Sequence, residues 1–257
     1  PEDRSQQILK NLERYKIDVI VTIGGDDTNG AAKKLYEKYG VPVIGFPKTI
    51  DNDLRTRTIH EYDGKENEVV LCPGFPSAAK GLMEYTLRLN TTAESHQRII
   101  VLEIMGRDAG WLTGSAVFGG AEMSLIPEIP MTEERQKKFY EKIKEKYYNS
   151  KTKSLIIAVS EGVRWFDKKT GKLDVVYASS EVDEYGHPRF GGISGVIASE
   201  ITANLKLDAR AQITGYYNDD FELVKIKTFT ISYQNKEENR QWTDSVLIDF
   251  VNLILRK

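Results

Sequence analysis

The chain has 257 residues, a formal net charge of −2 and a hydrophobic fraction of 40%. These values are typical of one large or two modest globular domains, and the balanced charge indicates neither a nucleic-acid nor a membrane partner. No apolar run is long enough to span a bilayer. Cys72 is the single cysteine and cannot form an internal disulfide, so we expect a cytoplasmic protein.

The chain is predicted to open with a helix, a strand, a glycine turn, a helix and a second strand. Residues 5–16 have apolar side chains at helical spacing. The β-branched run 18–23 predicts a strand buried on both faces. Gly24 and Gly25 follow and allow both a sharp turn and the close approach of a ligand. The second strand is expected at residues 41–46.

The helix between these strands is predicted from its ends. Thr28 or Asn29 is expected to cap its amino terminus, which places the first helical residue at Gly30. Gly40 is expected to end it, because glycine readily adopts the left-handed conformation found after helices. A polar turn then follows each strand at its carboxyl end, where open α/β sheets bind ligands.

The two turns carry the sequences GGDDT, residues 24–28, and PKTIDND, residues 47–53. Either sequence alone is ordinary turn chemistry. Together, one crossover apart, they combine a glycine turn able to hold phosphate with carboxylates able to bind a metal or accept a proton. This combination predicts a phosphoryl-transfer site.

These motifs resemble the phosphofructokinase family. Its ATP-using members typically carry GGDGS and PGTIDND, whereas pyrophosphate-using members have an Asp in the first motif and a Lys in the second. This chain has both changes, Asp27 and Lys48. The added carboxylate and long side chain would crowd and repel the α-phosphate and nucleoside of ATP, while Lys48 offers charge to a bare diphosphate. The resemblance therefore implies pyrophosphate as the donor.

Further family marks surround a later strand. Residues 55–68 are polar and are predicted to form a loop, and Ser77 is expected to cap a helix that extends to about Leu89. The buried strand 99–104 is preceded by HQR and followed by MGRDAG, as in the family. A helix is expected at residues 109–118.

The second half of the chain is predicted to continue the alternation of strands and helices. A charge-rich helix from Thr132 to about residue 148 is interpreted as a solvated helix. His187 is interpreted as structural because no second ligand or triad partner accompanies it. The other predicted elements are a strand and turn at 122–130, strands at 154–160, 207–217 and 221–233, a surface excursion or hairpin turn at 165–174, a glycine-rich helix start at 183–197, and a helix at 242–255.

We therefore expect an α/β fold with two lobes, mainly parallel sheets and helices on both faces, as in phosphofructokinases. Residues 1–60 are assigned to the remainder of a donor-phosphate lobe, 61–217 to a sugar-phosphate lobe, and 218–257 to an atypical segment that packs back on the first lobe. The family's opening strand and glycine-rich loop are missing, so either the sequence is cut or part of the donor site is lacking. Residues 218–220 are Asn-Asp-Asp where the family has a QRGG-like turn, which should weaken phosphate binding.

The resemblance implies transfer of a phosphoryl group from pyrophosphate to the 1-hydroxyl of fructose 6-phosphate, giving fructose 1,6-bisphosphate, in a homo-oligomer. Asp51 is the expected general base, Lys48 and Arg107 the expected charge stabilisers. Mg²⁺ is the expected cofactor, held by Asp26. Donor binding is assigned to Gly25, Asp27, Thr28 and Lys48. Substrate binding is assigned to Thr49, Asp51, Asp53, Met105, Gly106, Arg107, Glu161, Arg210 and Tyr216, and to Arg98 from a neighbouring subunit.

Three alternatives stay open. The donor could be ATP. The chain could be a kinase of the wider superfamily, such as a NAD or lipid kinase, although HQR, MGR and PKTIDND argue against this. It could also be a non-catalytic fragment or regulatory subunit that binds a sugar phosphate, which the missing opening and the acidic residues around Asp219 favour.

Overall fold

The computed structural model describes residues 3–53, 59–62, 65–68, 72–182 and 188–214. The helices within these ranges are α1 Ser5–Tyr15, α2 Asp26–Tyr39, α3 Phe75–His96, α4 Trp111–Ser115, α5 Glu133–Asn149 and α6 Ile193–Leu205, with a 3-10 helix at Ala116–Gly119. The strands are β1 Ile20–Gly24, β2 Val43–Pro47, β3 Ile59–Tyr62, β4 Lys65–Glu68, β5 Ile99–Ile104, β6 Met123–Leu125, β7 Leu155–Ser160, β8 Trp165–Asp167, β9 Lys172–Asp174, β10 Tyr177–Val182, β11 Pro188–Phe190 and β12 Ala209–Thr214.

The main sheet has four parallel strands in the order β12-β5-β7-β6. Every residue of β5 and β7 is buried, because helices cover both faces of the sheet. Ile143 of α5 and Ile197 of α6 belong to the core on one face. Leu82 of α3 and Leu112 of α4 belong to the core on the other. The predicted α/β fold with a parallel sheet between helices is confirmed.

The amino-terminal unit is a parallel pair, β1 and β2, joined by α2. The prediction that its first strand is buried on both faces is wrong. Thr22 and Ile20 are partly buried, whereas Val21 and Ile23 are 47% and 40% exposed. The two sets of side chains alternate because successive strand residues point to opposite faces. Among the described residues, α2 covers the face that carries Thr22.

The second polar turn is attached to the start of α3. The amide of Thr49 donates to the carbonyl of Pro73 at 3.0 Å, and the amide of Cys72 donates to Asn52 Oδ1 at 2.8 Å. Gly74 has a φ of +101°, and a Cβ at this position would lie 3.1 Å from the carbonyl oxygen of Thr49. Glycine is therefore needed where α3 meets the turn. Since α3 also packs on the main sheet, it links that sheet to the turn.

Two predicted helix starts are wrong. Helix α2 begins at Asp26 with Gly25 at its N-cap, four residues before the predicted start at Gly30. Helix α3 begins after Gly74, and Ser77 lies inside its first turn. In both cases a glycine supplies the turn, and the expected polar cap falls within the helix. The end of α2 at Gly40, where φ is +68°, is confirmed.

Other elements differ in detail from their predictions. The predicted loop 55–68 contains an antiparallel hairpin, β3 and β4, and the Asp-Gly pair between these strands is a common hairpin turn sequence. The predicted helix 109–118 is split into α4 and a 3-10 helix. The hairpin at 165–174 is confirmed as β8 and β9.

Several predictions lie outside the described residues: His187, Tyr216, the segment 218–257, and the strand and helix within that segment. No helix in the described part of the chain has the length and apolar character needed to cross a membrane.

Candidate active site

The two polar turns lie side by side at one edge of the amino-terminal unit. Strands β1 and β2 are parallel, with Gly24 opposite Pro47 at their carboxyl ends. The amide of Lys48 donates to the carbonyl of Gly24 at 2.8 Å, which ties the start of the second turn to the first. The sequence predicted this neighbourhood from the strand–helix–strand order, and the register confirms that the turns are adjacent.

The first turn leads directly into α2. Asp26, Asp27 and Thr28 form the exposed first turn of this 14-residue helix. A Cβ on Gly24 would lie 2.4 Å from Thr28 Oγ1, so the strand end must be glycine for the helix to start there. Helix amino termini bind anions through their unpaired amide groups, which suits this turn to a phosphate.

The backbone of the second turn is fixed by one hydrogen bond within the turn and one to Cys72. Asp51 is partly buried, and its amide donates to Thr49 Oγ1 at 3.1 Å. Asn52 has a φ of +57° and is 2% exposed, because its side chain accepts the amide of Cys72. Asp53 is exposed beyond it. Asn52 therefore anchors the turn, a role that the sequence analysis did not assign.

The side chain of Lys48 is buried, with 7% of its surface exposed. A lysine is rarely this buried unless its ammonium group is compensated by polar neighbours. Its place directly after β2 puts a positive charge at the same edge as Asp51 and the GGDDT turn.

A second set of predicted residues lies at the carboxyl edge of the main sheet. Ile104, the last residue of β5, is opposite Ser160 of β7, so residues 105–107 lie beside Glu161. Glu161 Oε1 accepts the amides of Gly106 and Arg107 at 3.4 and 3.3 Å. The carboxylate therefore fixes the backbone of the MGR turn.

The backbone of the MGR turn is closely packed against its neighbours. Gly106 has a φ of +154° and Arg107 a φ of +46°. A Cβ on Gly106 would lie 2.5 Å from the carbonyl oxygen of Ala109, and a Cβ on Gly162 would lie 1.8 Å from that of Arg107. Both glycines are therefore required for the two strand ends to approach each other.

The pKa of Glu161 connects the two edges electrostatically. Burial raises it to about 7, although the amides of Arg107 and Gly106 act in the opposite direction by donating to the carboxylate. The negative charges of Asp51 and Glu103 are smaller contributions to this raised value. The charge of Asp51, on the PKTIDND turn, therefore acts on Glu161 in the same direction as burial.

Glu103 was not identified from the sequence because it lies inside a buried apolar strand. It is 4% exposed, and its carboxylate accepts the amides of Gly192 and Ser194 and the Ser194 hydroxyl at 2.7–2.8 Å. It thus caps α6 from the neighbouring strand. Phe190, the last residue of β11, places its ring centre 5.9 Å from the guanidinium carbon of Arg107. The sequence signal that could have identified Glu103 is a single charged residue within the otherwise apolar strand 99–104.

Two predicted substrate residues lie at the opposite edge of the main sheet. Arg98 precedes β5, and Arg210 is the second residue of β12. Both place Nε 3.3 Å from a carboxylate oxygen of Asp208, which they share. Six strand residues separate Arg98 from Met105, or roughly 20 Å. The chain therefore does not bring these arginines to the MGR turn.

The described residues contain no cluster of three or more His, Cys, Asp or Glu side chains able to hold a metal. Mg²⁺ does not require one, since it is commonly held by one or two carboxylates together with substrate phosphates. Asp26 is an exposed carboxylate in the first turn of α2, which fits this kind of site.

Comparisons with known proteins agree with the motifs. The phosphofructokinase family profile matches residues 1–219. The chain is 37% identical over 218 residues to a pyrophosphate–fructose 6-phosphate 1-phosphotransferase from Dictyoglomus thermophilum, covering 84% of this chain and 56% of that protein. It is 36% identical over 212 residues to an ATP-dependent 6-phosphofructokinase from Corynebacterium efficiens, covering 82% of this chain and 55% of that protein.

A solved structure is similar in fold. The pyrophosphate-dependent phosphofructokinase from Marinobacter aquaeolei matches with a TM-score of 0.57 and 23% identity, over 82% of this chain and 48% of that chain. The present chain thus spans about half the length of the relatives that it matches.

Proposed function

Because the chain belongs to the phosphofructokinase family, we propose that it transfers a phosphoryl group from pyrophosphate to the 1-hydroxyl of fructose 6-phosphate, giving fructose 1,6-bisphosphate, a glycolytic step. One observation carries the proposal: the GGDDT and PKTIDND turns are adjacent at the carboxyl ends of two parallel strands. The proposed donor-binding turn therefore lies beside the turn that carries the proposed general base, Asp51. Positioning and charge compensation are most of what phosphoryl transfer requires of a protein.

Pyrophosphate is favoured over ATP by Asp27 and Lys48. Asp27 lies in the first turn of α2, where a carboxylate would repel the additional phosphate of ATP. Lys48 supplies a buried positive charge beside that turn, suited to a compact diphosphate. In this proposal Gly25 and Thr28 complete the donor site.

Asp51 is the proposed general base, which removes the proton from the 1-hydroxyl as the phosphoryl group is transferred. Its turn is held by Thr49 and by the buried Asn52, so the carboxylate has a defined position. Asp53 assists by hydrogen bonding. Asp26 is the proposed ligand of Mg²⁺, which when bound offsets the charge between diphosphate and carboxylates.

Arg107 is proposed to stabilise charge on the transferred group, while Met105, Gly106 and Glu161 hold the sugar. The hydrogen bonds from the Gly106 and Arg107 amides to Glu161 support a preformed arrangement of these residues. Thr49 and Tyr216 are proposed to contribute on the sugar side.

Arg98 and Arg210 are proposed to bind the 6-phosphate in a neighbouring copy of the chain. Their distance from the MGR turn supports this assignment, and it makes a homo-oligomer part of the proposal. The division into lobes at residues 1–60 and 61–217, with 218–257 packing back on the first, is proposed as well. We also propose a cytoplasmic location, because the single cysteine, Cys72, is buried and forms no disulfide.

The test is turnover of fructose 6-phosphate by the purified chain with Mg²⁺ and either pyrophosphate or ATP. We expect turnover with pyrophosphate, and Asp51→Asn should lower kcat by about 10²–10⁴-fold while fructose 6-phosphate still binds. Changing Asp27 and Lys48 together to glycine should relax the donor preference. Rapid turnover with ATP and none with pyrophosphate would contradict the proposed donor.

A second candidate is a non-catalytic subunit that binds a sugar phosphate. It is favoured by Asp219 and Asp220, two acidic residues where the family has a QRGG-like turn. Calorimetric titration with fructose 6-phosphate separates the two candidates: binding without turnover from either donor supports this second one.

A further inference from the structure

Asn29 makes an unusual set of hydrogen bonds beneath the GGDDT turn. Its side-chain amide Nδ2 donates to the carbonyl oxygens of Gly24 at 2.7 Å and Gly25 at 3.1 Å. Its Oδ1 accepts the hydroxyl of Thr22 at 3.0 Å. Both Nδ2 protons are thus directed to two consecutive carbonyls of the turn. From the sequence, this residue was expected only as a possible helix cap.

The neighbouring strand leaves space for this side chain. A Cβ on Gly45 of β2 would lie 2.7 Å from Asn29 Oδ1, so an alanine at this position would displace the amide. The carbonyl of Gly24 also accepts the amide of Lys48 at 2.8 Å. Asn29 therefore lies between both strands and shares an acceptor with the residue that opens the second turn.

These bonds determine where the amide groups of the turn point. In a trans peptide the C=O and N–H of one plane point in opposite directions. Because the carbonyls of Gly24 and Gly25 face Asn29, the N–H groups of Gly25 and Asp26 face away from it. Backbone N–H groups oriented together at a helix start are suited to holding phosphate oxygens.

We propose that Asn29 is a positioning residue for the donor phosphate, which acts by orienting the Gly25 and Asp26 amides and by holding the turn against Lys48. This role rests on the proposed function, since it assumes that the GGDDT turn binds the donor. Asn29 does not itself touch the donor, because its side-chain amide is occupied by Thr22, Gly24 and Gly25.

The test compares Asn29→Asp with Asn90→Asp. The first change keeps the side-chain shape but removes both donors and sets a carboxylate against two carbonyl oxygens. The second change is a matched control. Asn90 lies on α3, and its Nδ2 also donates to a backbone carbonyl, that of Gly119, at 3.0 Å. Both variants are assayed for the KM of pyrophosphate and of fructose 6-phosphate, and for hydrogen exchange at the amides of residue 29 and Lys48.

We expect Asn29→Asp to raise the KM for pyrophosphate by about tenfold or more while the KM for fructose 6-phosphate stays within about twofold. The two amides should exchange at least about tenfold faster than in the control variant. Equal changes in both KM values, or unaltered exchange, would overturn the proposal. Absence of turnover in the unmodified chain would count against the proposed function instead, and the exchange rates would then decide the role of Asn29.

Discussion

At the residue scale, the contact between Gly162 and the backbone of Arg107 makes a direct prediction. Gly162→Ala places a Cβ 1.8 Å from the Arg107 carbonyl oxygen, so the MGR turn must move. We expect a loss of about 2–3 kcal/mol in the free energy of unfolding, measured by denaturant titration, together with a raised KM for the sugar phosphate.

Gly195→Ala is the matched control for this change. Gly195 lies inside α6, and a Cβ there meets nothing within 4 Å. Alanine should stabilise the helix by about 0.5–1 kcal/mol relative to glycine. If both substitutions have the same small effect, the close contact does not restrict the turn.

Glu161 predicts a pH dependence at the same scale. Its pKa is raised from 4.5 to about 7 in the folded protein, first by burial. The folded chain therefore binds this proton more tightly than the unfolded chain, and its contribution to stability is present at low pH and lost as pH rises to 7. Between pH 5 and pH 8 we expect this group to lower the free energy of unfolding by about 2–3 kcal/mol.

The measurement is denaturant unfolding at several pH values for the unmodified chain and for Glu161→Gln. The glutamine keeps an oxygen that can accept the amides of Gly106 and Arg107 but does not titrate. The difference between the two proteins isolates this group from other carboxyls. A difference that does not vary with pH would contradict the raised pKa.

At the element scale, α5 and α6 are capped in two different ways. At α5, whose start near Thr132 was predicted from the sequence, the Thr132 hydroxyl accepts the amide of Arg135 at 3.4 Å. At α6 the buried carboxylate of Glu103 accepts two amides and a hydroxyl from residues 192–194. Glu103→Gln replaces one carboxylate oxygen with an NH₂ group that faces other hydrogen-bond donors. We therefore expect this substitution to lower the free energy of unfolding by about 2–3 kcal/mol.

Thr132→Ala removes one exposed helix cap and should lower the free energy of unfolding by only about 1 kcal/mol. Denaturant titration measures both changes, and hydrogen exchange at residues 192–196 shows whether the first turn of α6 opens. Equal costs for the two variants, with unaltered exchange at α6, would mean that the Glu103 carboxylate does not hold this helix.

The contrast between a local cap and a cap from another strand explains which features could be predicted from the sequence. Strands β5 and β7, the turns after them and the cap at Thr132 follow from local pattern, because buried strands are continuous apolar runs and caps act within four residues. The orientation of Asn29 and the role of Glu103 depend on residues from another strand or loop. Local propensity contains no information on these partners, which is why Asn29 was expected only as a possible helix cap and Glu103 was assigned no role.

At the scale of the whole molecule, the predicted site residues divide between two edges of the main sheet. The MGR turn and Glu161 are at the carboxyl edge, whereas Arg98 and Arg210 are paired with Asp208 at the amino edge. Strand length keeps these groups roughly 20 Å apart. One copy of the chain therefore cannot apply both sets to a single sugar phosphate, and both can serve only if two copies face each other.

This separation predicts complementation between two inactive variants. Asp51→Asn lacks the proposed base but keeps Arg98, and Arg98→Ala lacks the arginine but keeps Asp51. A hybrid dimer has one site with both residues intact and one site with neither. In a random 1:1 mixture half of the dimers are hybrids, so about one quarter of the unmodified activity should return. The measurement is turnover of fructose 6-phosphate after the variants are mixed and reassembled, with hybrids counted by differently tagged copies. If tagged hybrids form and activity does not return, Arg98 does not serve a neighbouring site.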